Sequence, residues 1–445
     1  MRFFLVLMLA LLPLGAAKAQ IRDEAELKPT PPTVLSPREQ AALHDLWLGE
    51  RLDTLIPEIM REQKIDMWIL VAREYLEDPV VATMLNATSF HARRRTILVF
   101  FDRGPEQGVE RLTVSRYGLG GFFEPSWTPE EQPDQWARLA DIVAERDPRR
   151  IALNTSAESA FGDGMTYSQY NGAVDALPAK YRRRIVSGHN LSIQWLETRI
   201  PAEMERYPEI VRLAHAIIGE ALSNQVITPG VTTADDVMWW YRQRISELGV
   251  TAWFHPSISI FRQGNDGELR GDTVIEPGDM VWTDFGITYL DLNTDTQHLA
   301  YVLREGEADA PEGLKNGLAS ANAVQDALTE SFKVGLSGND VLRLARERAI
   351  AEGHQPSIYT HPIGFHGHGA GPAIGFWDNQ QPTYHGDGPI RANTAWSIEL
   401  SATAVVPEWG GQEVQFRTEE DAFFDGSDVR YLNGRQKRFH LIASD

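Results

Sequence analysis

Four carboxylates interrupt apolar, strand-like sequence in the C-terminal half of this 445-residue chain. Asp284 sits in VWTDFGITYL, Asp295 in LNTDTQHLAYVL, Glu399 in AWSIELSA and Glu419 in VQFRTEEDAFF. A carboxylate inside a hydrophobic strand costs on the order of several kcal/mol unless something neutralises it. A fold that buries all four must gather them around positive charge. Two divalent cations, +4 against −4, would balance the set. Between the second and third acids lies HPIGFHGHGAGP (His361–Pro372), which adds imidazole nitrogens to the available donors.

The two aspartates belong to an expected hairpin, with strands over 280–289 and 295–303 and a turn at LDLN. Opposed side chains in such a pair have Cβ atoms ~5 Å apart. Asp284 and Asp295 could then share an ion at ~2.0–2.2 Å. Glu399, between Ile398 and Leu400, would be costly unpaired. Glu419 has two rivals as the fourth acid, Glu420 and Glu413.

The pattern along the chain divides it. Residues 1–19, MRFFLVLMLALLPLGAAKA, read as a signal peptide cut after Ala19, which implies an exported (periplasmic or secreted) protein with no stable membrane insertion after cleavage. Residues 20–36 are a proline-rich extended lead-in. From 37 to about 195, helices at 38–62, 129–146 and 156–176 intersperse with strands at 67–72, 95–101, 111–117 and 149–154, an α/β region with a mixed sheet. From 200 to 445, a helix pair (202–224, then Thr233 with Asp236 as a capping box to 248) leads into strands. A second pair (312–333, then Ser337 with Asp340 to 353) leads into strands again. This is a weak internal duplication, two similar halves facing one site.

Composition removes several classes. With no cysteine there are no disulfides, thiolate metal sites or cysteine nucleophile. A net charge of −20 argues against nucleic acid and anionic membrane partners. No G-x-S-x-G elbow, P-loop or dinucleotide fingerprint occurs, and GLGGFF (118–123) reads as a loop.

In order and spacing the C-terminal signals resemble the pita-bread metallopeptidases, the group of methionine aminopeptidase, aminopeptidase P, prolidase and creatinase. The matching phrases are GDMVWTDFG, the second Asp eleven residues on, a His in an H-G-x-G setting, a Glu before a small apolar strand, and R-x-E-[ED]-D-A. The resemblance covers about 200–445. Residues 36–190 resemble the smaller N-terminal domain of the proline-peptidase and creatinase branch. The implied fold class is α/β (α+β), a pita-bread domain behind a smaller mixed-sheet domain. The resemblance implies that Asp284, Asp295 and Glu419 hold one or both ions, with Glu399 on the other side of the cluster. His366 and His368 both fit H-G-x-G; GHGAG favours His368 as the metal ligand, leaving His361 and His366 to line the site or act in catalysis.

Two departures make this an atypical, exported member. Family peptidases usually carry another histidine about seven residues after the ligand, followed by an acid; counted from His368, Trp377 and Asp378 stand there instead. A histidine usual before the first Asp strand is missing from NDGELRGDTVIEPGD, with His255 or His298 available to replace it.

The expected cofactors are two divalent ions. Four carboxylates and one imidazole suit Mn²⁺, with Co²⁺, Fe²⁺ or Zn²⁺ compatible. Such a pair lowers the pKa of a shared water for attack on a peptide carbonyl, with Glu399 moving the proton. Trp253, Phe254, Phe376 and Trp377 offer an apolar pocket, and His255, Trp377 and Arg417 are candidate substrate contacts. The expected activity is hydrolysis of short peptides, of Xaa-Pro dipeptidase or aminopeptidase type. The alternatives are a non-catalytic peptide-binding module of the same fold and a creatinase-like hydrolase of a non-peptide C–N bond. Relatives of this fold often form homodimers.

Overall fold

A computed structural model describes residues 23–444. The expected signal peptide, residues 1–19, lies outside the described residues. Among the described residues no helix is long and apolar enough to cross a membrane. The described part of the lead-in, from residue 23, lies along the far end of the chain. Ala25 donates its N–H to the Arg435 carbonyl (2.8 Å), and Glu24 pairs with Arg438 (2.7 Å). Its close approach requires Gly219, where a Cβ would stand 2.1 Å from the Leu27 carbonyl oxygen.

The N-terminal part is built on a six-stranded mixed sheet. Its order is Glu124–Pro125, Val109–Thr113, Arg95–Asp102, Met67–Arg73, Ile151–Leu153, Ile185–Ser187. Side chains alternate across a strand, and the MWILVA run uses both faces. Trp68, Leu70 and Ala72 enter one core beneath the Pro37–Glu62 helix, while Met67, Ile69 and Val71 enter another beneath Gln135–Arg146. The long first helix also carries Arg51 into the junction with the C-terminal part. There its buried guanidinium meets Glu203 (3.0 Å) and the carbonyls of Thr198 and Trp195. The helices expected over 129–146 and 156–176 are shorter, Gln135–Arg146 and Tyr167–Ala176, because turns occupy their N-terminal halves.

In the C-terminal part the two helix pairs are present as Pro201–Ala221 with Ala234–Leu248, and Glu312–Thr329 with Gly338–Ala351. Both expected capping boxes form, Thr233 with Asp236 and Ser337 with Asp340. The antiparallel strands Met280–Phe285 and Thr296–Val302 separate the two halves. Val281, Phe285, Ala300 and Val302 face the first helix pair, whereas Met280, Trp282, Leu299 and Tyr301 face the core of the second. That parity decides where each polar residue of the hairpin goes. Asp284 and Gln297 share the inner face with Trp282 and Leu299. His298 shares the outer face with Ala300 and points toward the Pro201–Ala221 helix.

Candidate metal centre

Asp284 is registered opposite Gln297, not opposite Asp295, which lies one step along the diagonal just before the strand. Both aspartates still lie on the inner face. An antiparallel bridge between Gln297 and Glu419 (N–H to carbonyl, 3.1 and 3.3 Å) brings the last acid alongside them. In a separate four-stranded sheet, where Thr394–Ser397 pairs with His361–Ile363 on one side and Asp421–Phe424 on the other, His361 is registered with Ser397, and Ser397 with Asp421. The Ser397 hydroxyl donates to Glu419 Oε1 (2.5 Å). The Asp421 carboxylate accepts the Asp295 backbone N–H (3.2 Å to each oxygen), which fixes the residue that must turn into the site.

His361, rather than His368, is the histidine that meets the acids. Its Nε2 lies 3.6 Å from Asp295 Oδ2 and 3.7 Å from Glu419 Oε1. Ligand atoms of Asp295, His361 and Glu419 all fall within 4.8 Å of one another, fully buried. The His361 Nδ1–H donates to the Pro362 carbonyl (3.0 Å), which leaves the Nε2 lone pair aimed at the carboxylates. Sequence reasoning gave His368 the ligand position because GHGAG matched a familiar phrase. The structure places His368 beside the cluster, its ring edge-to-face with His361 (4.8 Å) and 5.1 Å from Trp253.

The electrostatics describe a site short of positive charge. Burial, then the charge of Glu419, pushes the carboxyls of Asp284, Asp295 and Glu399 well above the usual carboxylate range. Burial alone would lower His361, but Glu419 and Glu399 outweigh it and raise the imidazole. Asp284 Oδ1, Asp295 Oδ1 and His361 Nε2 are buried without a hydrogen-bond partner among the described residues. Hard, converging oxygens with one imidazole and orphaned lone pairs fit divalent ions such as Mn²⁺. Asp284, Asp295, His361, Glu399 and Glu419 could hold them.

Several neighbours were not anticipated. Gln297 donates its amide N–H to Glu399 Oε1 (2.8 Å), while its own Oε1 accepts from the Trp282 indole (3.1 Å). The indole, a donor only, fixes which end of the amide faces Glu399. Tyr359 stacks on Phe376 (5.5 Å) and lies against His361 (5.5 Å), and both it and Trp253 pack on the His368 ring. The period-2 rule could have found Gln297, two residues past Asp295 along the expected 295–303 strand. Nothing in the sequence singles out Tyr359.

Other expected site residues stand elsewhere. The His366 ring packs on Phe161 of the N-terminal part (4.6 Å), and burial and the Arg199 charge push it down to about 4. His255 is exposed beside Trp239 and Arg242, and Trp377 is 75 % exposed. Arg417 is nearer: its guanidinium lies over Trp282 (5.2 Å), pairs with Glu268, and its charge reaches Asp284. Glu413 is exposed on its strand, so it is no rival to Glu419.

Glu420 turns the opposite way from Glu419, into a second buried group with His215 and His298. Asn433 donates to His215 Nδ1 (3.0 Å), which puts that ring's proton on Nε2, 3.1 Å from Glu420 Oε2. His440 Nε2 lies 3.1 Å from His298 Nδ1, and His298 Nε2 lies 3.0 Å from Glu420 Oε1. The Gln436 N–H donates to the same oxygen (2.7 Å). Burial would raise this carboxyl, but the two histidines hold it down at about 2. His215 Nε2 and Glu420 Oε2 are nevertheless buried without a hydrogen-bond partner among the described residues.

Residues 206–421 match metallopeptidase family M24, and all five converging residues fall within that span. This part of the chain is an M24 domain. No curated protein sequence matches the chain. Among solved structures, an X-Pro aminopeptidase from Thermotoga maritima MSB8 superimposes with a TM-score of 0.61 at 18% identity, covering 87% of this chain and 99% of that one. An Xaa-Pro dipeptidase from Bacillus anthracis gives 0.56 at 18%, covering 92% and 100%. A prolidase from Pyrococcus furiosus gives 0.54 at 15%, covering 84% and 98%. The fold is therefore the pita-bread fold of M24 with a smaller N-terminal domain before it, and the metallopeptidase class comes with the family.

Proposed function

We propose that the chain is a dinuclear metal-dependent peptidase that hydrolyses short peptides, with an Xaa-Pro preference like the activities printed for its structural neighbours. One observation carries the reading: buried carboxylates converge with His361 Nε2, and Asp284 Oδ1, Asp295 Oδ1 and His361 Nε2 have no hydrogen-bond partner among the described residues. Asp284, Asp295, His361, Glu399 and Glu419 would hold two ions, Mn²⁺ first. When bound, such ions supply a water of lowered pKa and polarise the scissile carbonyl.

The chain's own groups do the rest. Gln297 occupies Glu399 Oε1 and so orients the carboxylate; its other oxygen is left to take a proton and return it to the leaving amine. Once His361 holds the ligand position, the histidine expected seven residues later is His368, although Gly369 rather than an acid follows it. His368 then faces the substrate carbonyl as a hydrogen-bond donor for the developing oxyanion. Trp253, Tyr359 and Phe376 give an apolar wall suited to a proline ring. A histidine at this spacing supplies half of the expected His-acid pair, which weakens the reading as a non-catalytic peptide-binding module. A metal-free, creatinase-like reaction would leave the acids without counter-charge. Cleavage after Ala19 and export remain part of the proposal.

The test is metal content and turnover of the protein starting at Gln20. Two Mn²⁺ per chain with Xaa-Pro hydrolysis abolished by Glu399→Gln, the fold intact by circular dichroism, is the expected result. Hydrolysis that survives EDTA would refute it.

A further inference from the structure

The N-terminal sheet ends in a charge arrangement that the fold does not compensate. Arg73 and Arg95 are directly opposed neighbours on antiparallel strands. Like charges so placed repel. Among the described residues neither guanidinium has a carboxylate at ion-pair distance, whereas nearby Arg94 pairs with Glu74 (3.1 Å) and Arg116 with Glu130 (2.5 Å). Asp134, the acid whose charge acts on Arg95, is already engaged in capping a helix at the Trp136 N–H (2.9 Å).

Arg95 is nonetheless held firmly, and by neutral groups. Its Nε–H donates to Gln169 Oε1 (2.6 Å) and Nη1 to Gln135 Oε1 (3.4 Å), both glutamines being buried. The Gln135 amide donates in turn to the carbonyls of Arg95 and Val114 (3.1 and 2.6 Å), which turns its oxygen toward the guanidinium. The Trp136 ring lies beneath the same guanidinium (4.5 Å). Burial and the charge of Arg73 both work against the cation. Such a surround orients a cation without discharging it.

These two arginines open onto a cleft of about 960 Å³ that Arg93, Arg94 and Arg116 also line, with Glu74 the one acid in its wall among the described residues. Five arginines around one acid is an unusual concentration on a chain of net charge −20. Arg93 is steadied over the Tyr117 ring (4.9 Å) at the rim. Planar guanidinium forks match carboxylate, phosphate and sulfate oxygens bidentately.

We infer that this cleft is a binding site for a small oxyanion ligand, with Arg73 and Arg95 as its floor and Arg93 and Arg116 as its rim. It lies in the N-terminal domain, outside the M24 match, and stands independently of the peptidase reading. The shared chemistry is a tetrahedral or planar oxyanion, from a phosphate-type or a carboxylate-type ligand.

Thermal unfolding of the full chain tests it, with inorganic sulfate in one arm and glutarate in the other, each against NaCl at equal ionic strength. Neither probe strips divalent ions as citrate or pyrophosphate would. A saturable rise in Tm is expected for at least one probe, with its midpoint shifted at least tenfold in the Arg73→Gln, Arg95→Gln double variant. A stronger response to sulfate identifies a phosphate-type ligand, and a stronger response to glutarate a carboxylate-type one. General salting stabilisation by sulfate rises without saturating and is the same in both proteins. The double variant must keep the wild-type circular dichroism, so that the comparison reads binding and not unfolding. No saturable response to either probe, or an unchanged midpoint in the folded variant, would overturn the inference.

Discussion

Mn²⁺ binding should release protons, and the coupling can be sized. In the ion-free protein, burial and the Glu419 charge hold the carboxyls of Asp284, Asp295 and Glu399 well above the usual range. A raised carboxyl keeps its proton above pH 4, where the unfolded chain's has lost it. The ion-free protein is therefore progressively destabilised as pH rises through that window. His361, also raised, acts in the same sense: its contribution is full below its unfolded value and is lost as pH climbs through the folded one. Divalent ions displace these protons. Each proton displaced makes metal-dependent stabilisation grow by about 1.36 kcal/mol per pH unit. Two protons displaced between pH 5 and 7 would add about 5 kcal/mol at fixed free Mn²⁺. His366, His298 and His440, lowered by burial, have the opposite pH dependence but stand outside the cluster and cancel between the two forms. Denaturant unfolding with and without Mn²⁺ at pH 5, 6 and 7 measures the growth. Calorimetry in two buffers of different ionisation enthalpy counts the protons. Binding of Mn²⁺ without proton release, or stabilisation flat in pH, would refute the reasoning.

Three further outcomes separate roles. His361→Ala should lose metal, whereas His368→Ala should retain it and drop kcat by ~10²–10⁴-fold; elemental analysis beside kcat distinguishes the two, and metal loss in the second variant alone would restore His368 as ligand. Gln297→Ala frees the Glu399 oxygen that its amide holds (2.8 Å) and should cost ~10–100-fold in metal affinity or activity, read by Mn²⁺ titration. Arg51→Ala leaves the buried Glu203 with Arg199 as its one ion-pair partner among the described residues (3.4 Å), and should destabilise by about 3–5 kcal/mol in urea unfolding, with activity per folded molecule unchanged.

The architecture was largely legible because its signals are local. Ser337 with Asp340 and Thr233 with Asp236 mark helix starts by side-chain chemistry that needs no tertiary context, and both boxes form. The MWILVA run reads as a strand buried on both faces, and Trp68 is fully buried there. Less legible was the 156–176 stretch, where a short 3-10 helix over Ala160–Gly162 and irregular chain precede the helix at Tyr167. The charge pattern of Arg73 and Arg95 escaped notice because it arises from register between strands 22 residues apart in sequence.

At the metal centre, what could be read was which residue types must converge; which copy of each converges was set by parity. Glu419 and Glu420 are adjacent and chemically alike, yet one faces His361 and the other His215 and His298. The bridge of Glu419 to Gln297 fixes that choice, because side chains in the pleat point alternately to opposite faces. The same rule sends Gln297 inward to Glu399 and His298 outward to Glu420. Phrase matching ignores parity. It preferred His368 for its flanking glycines, whereas the histidine that meets Asp295 and Glu419 sits on the strand registered with Ser397, and that is His361. The decisive information was thus a hydrogen-bond register between His361–Ile363 and Thr394–Ser397, segments separated by a long glycine-rich excursion. Local pattern does not encode such a pairing, but it leaves one trace: among the histidines of HPIGFHGHGAGP, only His361 opens a run of apolar residues able to form a strand.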